Sequence, residues 1–119
     1  MEKIIRISNK DYRMKASALT QFSYRDETGR SFLTDLQKLT ELKDIGEDIT
    51  KSIDALDSVS ELLLKMAYIM AREADKNQAA NYEEFLSGIE SIYDDTKWIQ
   101  EVLELACSPL SRQIQNNQN

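Results

Sequence analysis

Carboxylates are the commonest groups in this chain that could do chemistry. Twenty-one Asp and Glu stand against 15 Lys and Arg, with no His and a single Cys. The adjacent pairs Glu47/Asp48, Glu83/Glu84 and Asp94/Asp95 invite an acid–base or metal reading. Such work needs two carboxyls converging on one site, with pKa values pushed apart by burial. Neighbours on a helix point about 100° apart. The doublets therefore read as solvated faces, well placed where they meet a helix N-terminus. No Asp-rich calcium loop is present, and the glycines at 29, 46 and 88 are isolated, so no phosphate-cradling loop exists. Without His, triad catalysis and the common zinc sites are excluded. One Cys can neither close an internal disulfide nor build a thiolate metal site, and Cys107 reads as a reduced thiol packed like a small hydrophobe. No catalytic residue, metal ligand or cofactor is expected.

The aromatics and the charge leave binding as the kind of work to look for. Tyr12-Arg13 and Tyr24-Arg25 pair an aromatic with a base, but Asp11, Asp26 and Glu27 dilute the field. The formal charge of −6 is also unlike the basic footprint that nucleic acid demands. Tyr24, Phe32 and Trp98 are large side chains whose faces the periodicity does not assign firmly to the core; they are the candidates for a partner surface, with core burial as the alternative reading. Met14, Met66 and Met70 could soften a contact surface. No stretch approaches the roughly 20 apolar residues of a membrane span, and residues 1–6 lack the apolar run of a signal peptide.

The elements that would position these residues follow from spacing. Ile5, Ile7 and Tyr12 favour strand, and Ser8–Lys10 is rich in turn formers, so a hairpin is predicted over about Lys3–Ile7 and Asp11–Lys15. A helix opens at Ser17 or Ala18 and stops before Gly29, which can take positive φ at no steric cost. Ser31 caps a second helix carrying Phe32, Leu33, Leu36 and Leu39, which ends near Ile45-Gly46. The stripe Leu56, Val59, Leu63, Met66, Met70 and Ala74, widened on both sides, predicts a largely buried helix over about Asp57–Asp75. Asn81 with Glu84 reads as a capping box for a short helix. A last helix spans about Asp94–Ala106, and Pro109 bars its continuation. The fold class is mainly α (α+β): an N-terminal β-hairpin followed by four or five helices packed around a central helix at about 57–75. A single domain over 1–112 is followed by a polar, unordered tail at 113–119, at a length within the range of about 100–150 residues at which domains cluster.

Two blocks carry a likeness to a known family. The first runs Lys10-x-Tyr12-x-Met14-Lys15, then Ser17-Ala18-Leu19-Thr20, then Tyr24-Arg25-x-x-x-Gly29-Arg30, then Asp35-Leu36-x-x-Leu39. The second is Met66–Lys76 followed by Tyr82-Glu83-Glu84-Phe85-Leu86. In that order they resemble the tail assembly chaperones of long-tailed (siphovirus-type) phages and prophages of Gram-positive bacteria. The family often has Trp near positions 68 and 85, where this chain has other aromatics, and Pro after the Thr of Leu-Thr, where it has Gln21. The resemblance implies a viral, non-enzymatic protein that binds the tape measure protein and keeps it soluble during tail tube assembly. It implies work in the bacterial host cytoplasm and absence from the mature virion. Further implied partners are a frameshifted longer form of the chain, the tail tube protein and further copies of itself as a homo-oligomer, with neither nucleic acid nor membrane. It assigns no binding residues. The alternatives are a structural or adaptor subunit retained in the virion and a small helical regulator.

Overall fold

A computed structural model describes residues 1–44, 53–92 and 95–118. The chain forms an N-terminal antiparallel hairpin, β1 (Glu2–Ile7) and β2 (Lys10–Lys15), and five helices. These are α1 (Ala18–Thr28), α2 (Phe32–Asp44), α3 (Ile53–Ala74), α4 (Tyr82–Ser87) and α5 (Lys97–Gln118), with a 3₁₀ turn at Lys76–Gln78 before α4. This is the mainly helical α+β arrangement that the spacing predicts. The expected end of α2 at Ile45-Gly46 lies outside the described residues, as does Asp94 at the head of the last helix.

The hairpin turn has two residues, and Ser8 and Asn9 take positive φ, 51° and 67°. That is the geometry whose twist matches the flanking strands. Asn tolerates it, and Ser8 is held in place because its Oγ accepts the Ser91 N–H at 2.9 Å. The register pairs Ile5 with Tyr12 and Lys3 with Met14. Ile5, Ile7, Tyr12 and Met14 are buried against the helices, whereas Glu2, Ile4, Arg6, Asp11, Arg13 and Lys15 face outward. A lone two-stranded ribbon is marginal in water, so this packing is what keeps it folded.

Helix α3 is the hub. It packs against β2, α1, α4 and α5, while α2 packs on α1 and α5. Met66, Ala67, Met70 and Ala71 are fully buried. Tyr12, Tyr68, Tyr82 and Phe85 form a chain of tilted ring contacts, with centroids 5.1–5.8 Å apart, that ties the hairpin to α3 and α4. Such pairs add roughly 0.5–1.5 kcal/mol each beyond area burial. Met14, Met66 and Met70 thus fill the core and present no contact surface.

Helix α5 runs through Pro109 to Gln118, past the stop expected at Pro109 and through most of the segment read as an unordered tail. Proline costs a helix the N–H that would reach the carbonyl four residues back. Here that acceptor, Leu105 O, takes a hydrogen bond from Ser108 Oγ at 2.7 Å, so it is not stranded. No helix among the described residues is long and apolar enough to cross a membrane.

Candidate functional site

Helix α1 is built inside out. Ser17 caps it: its Oγ accepts the Leu19 N–H, and Thr20 Oγ1 reaches back to the Ser17 N–H. Gly29 closes it at φ 71°, with its N–H on Arg25 O. Between these caps the inward residues are Thr20 and Tyr24, both buried. The outward ones include Leu19 and Phe22, 57% and 59% exposed. An ordinary surface helix turns its apolar side inward. This one buries two hydroxyl-bearing side chains and leaves its large apolar ones in solvent.

The buried hydroxyls explain how that is possible. Ser17 Oγ and Thr20 Oγ1 each donate to the Glu73 carboxylate of α3, both at 2.7 Å. The carboxylate thus sits beside the α1 N-terminus, where the helix dipole favours negative charge. At the other end, the Tyr24 hydroxyl donates to Asp35 Oδ2 at 2.6 Å. Arg30 completes that knot with two parallel bonds, Nε and Nη2 to the two Asp35 oxygens at 2.9 Å each. Asp35 is 1% exposed, whereas the Arg30 side chain is half exposed. The paired Arg30 bonds hold the Asp35 carboxyl below the usual carboxylate range; burial opposes this and the Tyr24 bond adds to it. Burial first, then the Asp35 bond and charge, push the Tyr24 phenol upward. Two carboxylates, on α3 and α2, therefore fasten α1 at its two ends.

Beside the exposed stripe lies a groove of about 510 Å³, lined by Leu19, Ser23 and Asp26 of α1 and by Tyr68, Ile69 and Arg72 of α3, among others. Its wall carries four carboxylates, Asp26, Glu27, Glu73 and Asp75, against two cations, Arg72 and Lys76. Arg72 donates from Nη1 to the Tyr68 hydroxyl at 3.2 Å and lies over that ring. Its Nε is buried with no partner among the described residues. No group of three or more Cys, Asp or Glu among the described residues is placed to hold a metal ion. The arrangement offers contact area and charge.

The residues expected to bind a partner lie elsewhere. Tyr24, Phe32 and Trp98 are 0%, 5% and 1% exposed. Tyr24 and Phe32 meet edge to face at 5.3 Å. Trp98 is buried with its Nε1–H satisfied by Ile92 O at 2.9 Å. All three occupy core positions. The exposed pair, Leu19 and Phe22, was legible only as one helical face of two. Thr20 and Tyr24 stand at an equally helical spacing, four residues instead of three, and what turns them inward is a pair of carboxylates, Glu73 lying 53 residues on from Thr20 and Asp35 lying 11 on from Tyr24.

The chain matches no protein-family model, no curated protein and no solved structure.

Proposed function

We propose that this protein is a non-catalytic chaperone of phage tail assembly, one that holds the tape measure protein soluble until tail tube protein surrounds it. The observation that carries this reading is the outward apolar stripe of α1. Large apolar side chains left exposed beside a groove are typical of surfaces that meet other polypeptides. The inverted burial of α1 supports a surface kept for a partner, because the fold secures this helix by hydrogen bonds and leaves Leu19 and Phe22 unused. The two sequence blocks that resemble tail assembly chaperones supply the identity of the client, and the −6 charge favours solubility of a complex with an aggregation-prone chain. A helical client segment would lay its apolar side along Leu19 and Phe22, as amphipathic helices do in grooves.

Co-expression with a tape measure protein tests this. The client stays soluble and co-purifies with the chain if the reading is right. An insoluble client with no co-purification contradicts it. Purified virions separate the alternative of a retained adaptor subunit, since a chaperone leaves before the particle is complete.

A further inference from the structure

The hairpin has two outer edges, and they are not alike. Met1 and Ala16 exchange both backbone bonds, each at 2.9 Å. Antiparallel pairs alternate between bonded and non-bonded, so residues 3, 5 and 7 of β1 bond to β2. The N–H and C=O groups of Glu2, Ile4 and Arg6 then point away from the sheet. On β2 the same alternation turns Arg13 outward, and there Gln78 covers the edge. Its Oε1 accepts the Arg13 N–H at 2.9 Å and its Nε2 donates to the Arg13 O at 2.8 Å. Among the described residues nothing bonds the outward groups of Glu2, Ile4 and Arg6. Ile4, at the middle of that open edge, is 61% exposed. Unpaired edges of this kind are templates for a further strand.

The edge is complementary to itself. An antiparallel two-fold axis through Ile4 sets Ile4 against Ile4 of the second copy. It also sets Glu2 against the second copy's Arg6, and Arg6 against the second copy's Glu2. Within each hairpin Glu2 stands opposite Lys15, and Arg6 opposite Asp11, with the Arg6–Asp11 ion pair at 3.7 Å. Joining two copies therefore completes a row that reads Lys15, Glu2, then Arg6 and Asp11 of the second copy. The charges alternate across all four strands, the arrangement that stabilises cross-strand pairs. A one-residue slip would bring Glu2 opposite Ile5 or Lys3 opposite Ile4, and the alternation would be lost.

From this we infer that β1 pairs with β1 of a second copy of this chain, antiparallel and centred on Ile4, to give a four-stranded sheet. Because α5 packs under β1 and its Glu101 holds Lys3 at 3.4 Å, the join lays the two α5 helices side by side beneath that sheet. The surface is separate from the α1 stripe, so client holding and self-pairing fail independently.

Sedimentation equilibrium over a wide range of protein concentration tests the pairing. The wild-type chain self-associates. Glu2→Arg and Arg6→Glu each face like charges across the axis, and each weakens association by about tenfold or more. An equimolar mixture of the two variants restores it, because every contact across the axis is again between opposite charges. Ile4→Glu gives a second check: in its own hairpin the new carboxylate faces Arg13, so the fold is kept, as circular dichroism will verify, but across the axis it faces its own copy. A wild-type chain that stays monomeric overturns the inference. So does association that survives Ile4→Glu, which would place another surface in contact, and so does a mixture of charge variants that stays dissociated.

Discussion

Helices α1 and α3 lie against each other and obey opposite rules. Helix α3 buries Val59, Leu63, Met66 and Met70 and is held by their contact. Helix α1 buries Thr20 and Tyr24 and is held by their hydroxyls together with the Tyr24–Phe32 ring contact, while Leu19 and Phe22 stay outside. The difference separates two tasks that one apolar face usually shares. In α3 the apolar side chains are consumed by the fold. In α1 the fold rests on Glu73 and Asp35 as well as on ring packing, and Leu19 and Phe22 stay exposed.

Substitutions sharpen the contrast by touching one rule at a time. Met70→Ala removes a fully buried side chain from α3 and is expected to cost about 3 kcal/mol, in the range for large-to-small core changes, read from denaturant unfolding. Asp35→Ala strands the buried Tyr24 hydroxyl and frees Arg30. It is expected to cost about 2–3 kcal/mol. An unchanged midpoint would show that α1 is secured by something other than this knot.

Acid reads the same knot without mutation. Arg30 holds the folded carboxyl of Asp35 below its unfolded value, so its contribution is complete above about pH 4, where an unfolded Asp titrates. It is lost as pH falls through the lower, folded value. Unfolding midpoints of the wild type should therefore drop below pH 4 more steeply than those of Asp35→Asn, which has no charge to lose. Parallel acid limbs for the two proteins would contradict the assignment.

Glu73→Ala is a smaller change, about 1 kcal/mol, since Ser17 lies partly in water and Ser17 and Thr20 both keep their own capping bonds. Its effect should be local, seen as faster hydrogen exchange in the first turn of α1 than in α3. Uniform acceleration across both helices would mean that Glu73 supports the whole core. Smallest of all, Leu19→Ser and Phe22→Ser should shift stability by no more than about 0.5 kcal/mol, because exposed side chains contribute little.

Spacing made the skeleton legible and left the roles of individual faces ambiguous. The hairpin, the Ser17 and Asn81 caps, the Gly29 stop and the buried helix around residue 66 all follow from local chemistry. Burial of Trp98 did not, because its helix has two apolar sides and periodicity ranks neither. Asp35 reads in sequence as a charge suited to the start of α2; its other role depends on Arg30 coming round from the loop and Tyr24 from the preceding helix. The exposed stripe was hidden for the same reason. Leu19/Phe22 and Thr20/Tyr24 are equally helical in spacing, and only the fold brings a carboxylate to one of them. Pro109 misled in the opposite direction, since Ser108 takes up the carbonyl that proline leaves.

The central claim is that the outer side of α1 is the surface that holds another polypeptide. The most direct measurement compares the wild type with the Leu19→Ser/Phe22→Ser double variant in co-expression with a tape measure protein, scoring soluble, co-purified client. The account predicts that the wild type retains the client and that the variant, with an unfolding midpoint close to wild type, loses it. Equal retention by the two proteins would contradict it.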